Sequence, residues 1–330
     1  MKFLRLMFLF TLVTAAFAPV AEGAPVGALK QFRVPTANSQ PRYIANGADG
    51  NRWFTESRDF FPTTAAQIGR ITPAGTVTEF PVECNGCLLN DIIQGPGNIL
   101  YFTSNDPILG RINTSGVQVL PDIQMPDSDV LVGNMDVHGN DLWITDFNNN
   151  SLWRYNIVSG VFTQFVVPTG ASSPADVVVD AAGIVWFTEP GPVPGKIGRL
   201  NPAGARGAGT FTEIPTSVFP NGIAIATDGQ IWFTSRFTPQ AVGRLNPANN
   251  VVTIFPFTNV GPQSIAASPD GSMWFTQTTK GNAAQIGNNG LMAESKEVKG
   301  SETFGITVDN LGNPWYTMMA ANKIAEFQLR

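Results

Sequence analysis

A chain of 330 residues with one histidine and two cysteines offers few side chains for chemistry. The histidine, His138, lies in Val137-His138-Gly139-Asn140-Asp141, a turn pattern. It is expected to be a solvated turn residue rather than a general base or a metal ligand. The cysteines form Cys84-Asn85-Gly86-Cys87. Zinc would need two more ligands, and the chain has no third cysteine and no second histidine, so a small structural disulfide between Cys84 and Cys87 is expected. It closes a very short loop, so its entropic contribution is modest. Carboxylates remain. Glu56, Asp146 and Glu189 share one offset behind a bulky aromatic, and Glu302 stands apart. With Asn90, Asn221 and backbone carbonyls they make an oxygen set of the kind that Mg²⁺ or Ca²⁺ prefers. No Asp-x-Asp-x-Asp loop accompanies them, and Asp49-Gly50, Asp228-Gly229 and Asp270-Gly271 read as hairpin turns.

The elements that must position these groups come from an internal repeat. A bulky aromatic followed by Phe-Thr, or a close variant, recurs at Trp53, Tyr101, Trp143, Trp186, Trp232, Trp274 and Trp315, with spacings of 48, 42, 43, 46, 42 and 41 residues. A second motif follows in step: Ile68-Gly69-Arg70, Leu109-Gly110-Arg111, Leu152-Trp153-Arg154, Ile197-Gly198-Arg199 and Val242-Gly243-Arg244. It weakens to Ile286-Gly287-Asn288 and Ile324-Ala325-Glu326. Each repeat holds four short runs rich in Val, Ile, Phe, Trp and Thr, punctuated by Gly, Asp, Asn and Pro. Four antiparallel strands in about 42 residues is a propeller blade. The fold class is therefore all-β, a seven-bladed β-propeller. The repeated aromatics are expected between blades, and the repeated arginines over aromatics or across strands.

Closure of the ring accounts for both ends. The last repeat stops at Lys323-Ile324-Ala325-Glu326-Phe327, one strand short, and residues 29–35 match the fourth-strand pattern. This segment is expected to complete the seventh blade, because an unpaired edge exposes backbone donors and acceptors.

In such a ring the innermost strands line a channel, and a ligand site is expected in the funnel at its top. Eleven residues before each anchor aromatic lie Arg42, Asn90, Ala175, Asn221, Gln263 and Phe304, with Gly133 in the shorter third blade. Three residues after it lie Glu56, Ser104, Asp146, Glu189, Ser235, Gln277 and Met318. These positions vary from blade to blade while the framework repeats, as a shared site requires. Arg42, Asn90, Asn221, Gln263, Phe304, Glu56 and Glu189 are the ligand-binding candidates. Glu302 is the candidate catalytic and metal-binding carboxylate.

Residues 1–23 read as a signal peptide: Lys2 and Arg5, an apolar stretch from Leu6 to Phe17, then small residues up to Ala21-Glu22-Gly23. The propeller domain then spans 24–330. The formal charge of −5 becomes −6 once that segment is removed, and no basic stripe is present, which argues against nucleic acid and anionic membranes. No second hydrophobic run suggests a membrane span. A secreted monomer is expected. Asn113-Thr114-Ser115 and Asn149-Asn150-Ser151 are sequons, so Asn113 and Asn149 are candidate glycosylation sites in a eukaryotic source.

The Trp-Phe-Thr-Glu pattern at 53–56, with Ile-Gly-Arg-Ile-Thr-Pro-Ala-Gly-Thr-Val-Thr-Glu-Phe at 68–80, resembles the streptogramin B lyase (virginiamycin B lyase) family. The likeness covers nearly all of residues 29–330. It implies a propeller that linearises a cyclic depsipeptide by elimination at an ester, using Mg²⁺ and a histidine base at the funnel. The family's blade-seven pattern, Glu-x-His-Gly-Ile followed by Trp-Phe-x-x-Glu, stands here as Glu302-Thr303-Phe304-Gly305-Ile306 and Trp315-Tyr316-Thr317-Met318-Met319. Glu302 is retained. The base falls on Phe304, the second carboxylate on Met319, and a further histidine on Gln263. Phenylalanine takes no proton and methionine is a poor Mg²⁺ ligand, so the family's chemistry is not expected in its known form.

Two functions follow. One is a secreted propeller that binds a small molecule or glycan in its funnel. The other is a diverged lyase or lactone-acting enzyme that retains Glu302, with Mg²⁺ or Ca²⁺ as its cofactor.

Overall fold

The computed structural model describes residues 27–57, 66–83, 87–203 and 209–329. These form seven four-stranded antiparallel sheets, with no helix among the described residues. In the first six sheets the strands neighbour one another in chain order. The seven innermost strands contact each other in a closed circle, blade 7 against blade 1.

The seventh blade takes three strands from the C-terminus, Thr303–Val308, Pro314–Met318 and Lys323–Leu329, and its fourth from Gly27–Arg33. The register runs from Gly27 opposite Leu329 to Arg33 opposite Lys323. The closing strand thus begins two residues before the expected segment and ends two before its end. Pro35 has no N–H to continue the ladder, and the last bond at this edge runs from the Val34 amide to the Asn322 carbonyl at 3.1 Å.

Packing lies between blades. The cluster at the closure joins Val34, Ile44, Phe54 and Ile71 to Trp315 and Ile324. Phe32 stacks on Trp315 at 5.7 Å between centroids. All seven anchor aromatics are buried.

The structure gives the Ile-Gly-Arg motif a steric cause. Phe54, Phe102, Phe187 and Phe233 lie opposite Gly69, Gly110, Gly198 and Gly243. A Cβ on any of these glycines would meet the phenylalanine ring at 2.1 Å. In blade 3 the phenylalanine is Ile144 and its partner is Trp153. The arginine that follows lies over the anchor ring, as Arg70 does over Trp53 and Arg199 over Trp186, each at 5.5 Å. In blade 6 the motif is Ala283-Ala284-Gln285, since Ala284 faces Phe275. Ile286-Gly287-Asn288 is out of register, because Gly287 opens the turn closed by the Gly290 amide.

Candidate functional site

The repeated threonine two residues after each anchor aromatic builds the rim of the channel. Its hydroxyl accepts the amide of its own blade's innermost strand, and it donates to a carbonyl of the next blade. Thr55 donates to Asn90 O at 2.7 Å, Thr103 to Gly133 at 3.1 Å and Thr145 to Ala175 at 3.2 Å. Thr188 donates to Asn221 at 2.7 Å, Thr234 to Gln263 at 2.6 Å, Thr276 to Phe304 at 2.7 Å and Thr317 to Arg42 at 2.7 Å. The seven acceptors are the seven positions found eleven residues, or ten in blade 3, before the anchor aromatic. An invariant hydroxyl therefore holds the backbone where the side chains vary. In blades 1, 2, 3, 6 and 7 the innermost strand also shifts register at this point. A bulge of this kind re-aims the side chain beside it.

All seven positions line one open cavity of about 380 Å³. Phe304 and Gln263 are buried there, at 8% and 5% exposure. Arg42 lies over the Phe304 ring at 5.0 Å, and Tyr43 meets that ring edge-on at 5.2 Å. Asn90 and Asn221 turn their amide nitrogens toward the next blade's carbonyl, at 3.3 and 3.4 Å. The Gln263 side-chain oxygen is buried with no hydrogen-bond partner.

The other candidates lie elsewhere. The residues three after the anchor aromatic end the second strands and are all buried, with Glu56 at 2% and Glu189 at 0% exposure. Of this set only Ser104 lines the funnel. Burial, with Glu213 nearby, pushes the Glu189 carboxyl up to about 7. Asp146 is held within blade 3, accepting from Trp153 Nε1 at 3.0 Å and from the Asn149 amide at 3.1 Å. Glu302 is exposed, has φ +48°, accepts the Met319 amide through its carbonyl, and does not line the cavity.

One residue further on, the side chains do face the funnel. Asn105, Phe147 and Arg236 line it from blades 2, 3 and 5. The offset missed them by one because successive strand residues point to opposite faces. Their variation in the repeat, as in Asn105, Phe147 and Arg236, was the available signal.

Below the funnel a smaller cavity of about 160 Å³ continues the channel, and Tyr43 and Asn134 line both. Its carboxylates are inter-blade staples. Asp91 accepts the amides of Ile92 and Met135, Asp136 those of Val137 and Val179, and Asp176 those of Val177 and Ile223. Burial raises all three, Asp91 to about 8 with help from Asp176, and Asp136 and Asp176 to about 6. Burial also raises the Tyr43 hydroxyl.

The described lining of the funnel does not fit a divalent cation, since it holds two arginines and no carboxylate. Among the described residues no group of three or more His, Cys, Asp and Glu side chains is placed to hold a metal. His138 is exposed at the far end of its innermost strand, beside its hairpin partner Asp141. Residues 84–86, and with them Cys84, lie outside the described residues, as does the whole of 1–23. Cys87 is buried. Asn113 ends a strand and its side-chain oxygen accepts the amides of Ser115 and Val117, while the Asn149 side-chain nitrogen is buried. No helix among the described residues is long and apolar enough to cross a membrane.

A closed seven-bladed ring with a central funnel, framed by repeated threonines and lined by residues that vary from blade to blade, is a β-propeller. The sequence profile of the virginiamycin B lyase family matches residues 18–208 and 209–330, and the chain belongs to that family. A streptogramin B lyase structure superposes with a TM-score of 0.80 at 23% identity, covering 92% of this chain and 98% of that one. An inactive histidine-to-alanine form of virginiamycin B lyase from Staphylococcus aureus, solved with quinupristin, gives 0.79 at 24%, covering 92% and 99%. The extracellular domain of a hybrid two-component system protein from B. thetaiotaomicron gives 0.71 at 14%, covering 92% of this chain and 40% of that one. At these identities the structures show a shared fold. No curated protein matches the sequence.

Proposed function

We propose that this is an exported binding propeller that takes a small molecule or glycan in its funnel and does not carry out the family's histidine-based elimination. The observation that carries this is the convergence of seven ring positions, occupied by six residue types, on one cavity whose described lining holds no histidine and no carboxylate. Phe304 stands where the resemblance expects a base, and it cannot accept a proton. Gln263 and Asn221 supply directional hydrogen bonding, while Phe304, Tyr43 and Phe147 supply apolar surface. A few polar groups on an apolar lining are the usual composition of a small-molecule pocket. The likeness to an extracellular bacterial domain and the signal-like N-terminus support export. In an oxidising compartment a Cys84–Cys87 disulfide would form.

The test is a thermal-shift screen of glycans and secondary metabolites against the wild type, Phe304→Ala and Asn221→Ala. A ligand that raises Tm in the wild type and not in the variants supports the reading. Ligands that stabilise all three proteins alike bind elsewhere and contradict it.

A further inference from the structure

We propose that the ligand of the funnel is a polar organic acid whose carboxylate is bound by the two arginines of the lining, Arg42 and Arg236. The inference rests on the funnel being the binding site.

The two guanidinium groups enter the same cavity from blades 1 and 5. No acidic side chain among the described residues lines it. The four ion pairs among the described residues use other groups throughout: Lys30–Glu326, Arg52–Asp309, Lys196–Glu213 and Lys280–Glu294. The framework arginines are satisfied differently. Arg70 donates to the Thr114 carbonyl, Arg111 to that of Pro121 and Arg244 to that of Asn288. Neither Arg42 nor Arg236 makes such a bond to a described residue. Arg42 rests on Phe304, with its Nε closed to solvent and lacking a partner. Arg236 rests on Phe237 at 5.6 Å. A planar guanidinium fork matches a carboxylate in charge and geometry, and neither arginine has a carboxylate partner among the described residues.

The chain as a whole is acidic at −5, yet the described lining of the funnel carries only arginines as charged residues, and the carboxylates of the smaller cavity below, Asp91, Asp136 and Asp176, are each held by two backbone amides.

Isothermal titration with two matched pairs tests this: glucuronate against glucuronamide, and gluconate against sorbitol. At least one acid is expected to bind ten-fold or more tighter than its neutral partner. Arg42→Gln and Arg236→Gln are each expected to weaken that acid at least ten-fold. Their Tm should change little, since neither side chain makes a hydrogen bond or ion pair to a described residue and the Arg42 carbonyl that Thr317 holds is kept. Equal binding of acid and neutral partner, lost in Phe304→Ala, would leave the funnel as the site and overturn the anion inference. Acid binding that survives both arginine changes, or no binding by any of the four probes, overturns it as well. In that last case the thermal-shift screen decides separately whether the funnel binds anything.

Discussion

The Thr317 hydroxyl donates to the Arg42 carbonyl at 2.7 Å across 275 positions of sequence. It is the bond by which the seventh blade takes its place in the ring of threonines. It also sets the backbone of a residue whose side chain lines the funnel. Removing the hydroxyl leaves the Arg42 carbonyl and the Gly305 amide, which donates to the same oxygen at 2.9 Å, both without this partner. Thr317→Val is nearly isosteric, so it isolates the hydrogen bonds. It is expected to cost about 1–3 kcal/mol, read from urea or guanidinium unfolding. Thr317→Ser should recover most of that loss.

The closing strand carries a larger share of stability. Deleting residues 27–35 removes Phe32 from the face of Trp315 and Val34 from the closure cluster. Burial of such side chains contributes about 1.5–3 kcal/mol each, and the edge of Lys323–Leu329 is exposed besides. A clear drop in Tm is expected, together with a greater tendency to aggregate by edge pairing. A truncated protein that melts like the wild type would contradict the closure.

Stability is expected to depend on pH in an unusual direction. Asp91, Asp136, Asp176 and Glu189 have folded values of about 8, 6, 6 and 7, all above their ordinary values of 3.8 and 4.5. The folded chain therefore binds more protons than the unfolded one between about pH 4 and pH 8. Stability contributed by these groups is complete below their unfolded values and declines as pH rises through the folded ones. Glu213 and Asp270 are shifted downward and work against this, but both are much less buried. Tm measured at pH 5 should exceed Tm at pH 8. A Tm that climbs steadily from pH 5 to pH 8 would contradict the burial of these carboxyls.

The blade count and the closing strand were legible in the sequence because steric demands repeat them. A phenylalanine needs a glycine opposite it, a tryptophan takes an arginine across its face, and a ring needs a last strand. The ring of funnel positions was legible for the same reason, since a fixed offset from a structural aromatic located all seven. The role of the threonine was not. The repeat displays the hydroxyl, but its acceptor lies about 30 residues away in the next blade, with no mark of its own. For the carboxylates the sequence reports an offset and not a facing. Glu56 and Glu189 end their strands buried and off the described lining of the funnel, while Arg236, one residue beyond Ser235, lines it. In blade 6, Gly287 imitated the framework glycine because turns and close ring contacts both select glycine.

The measurement that bears most directly on the central claim is the fate of a cyclic depsipeptide such as quinupristin incubated with this protein and Mg²⁺. Elimination gives a linear isomer of unchanged mass, so the products are separated by chromatography. Only the cyclic compound is expected to be recovered. Steady formation of the linear isomer, lost in Glu302→Gln, would contradict it, because it would show that Glu302 and groups outside the funnel lining described above perform the family's chemistry without a histidine base.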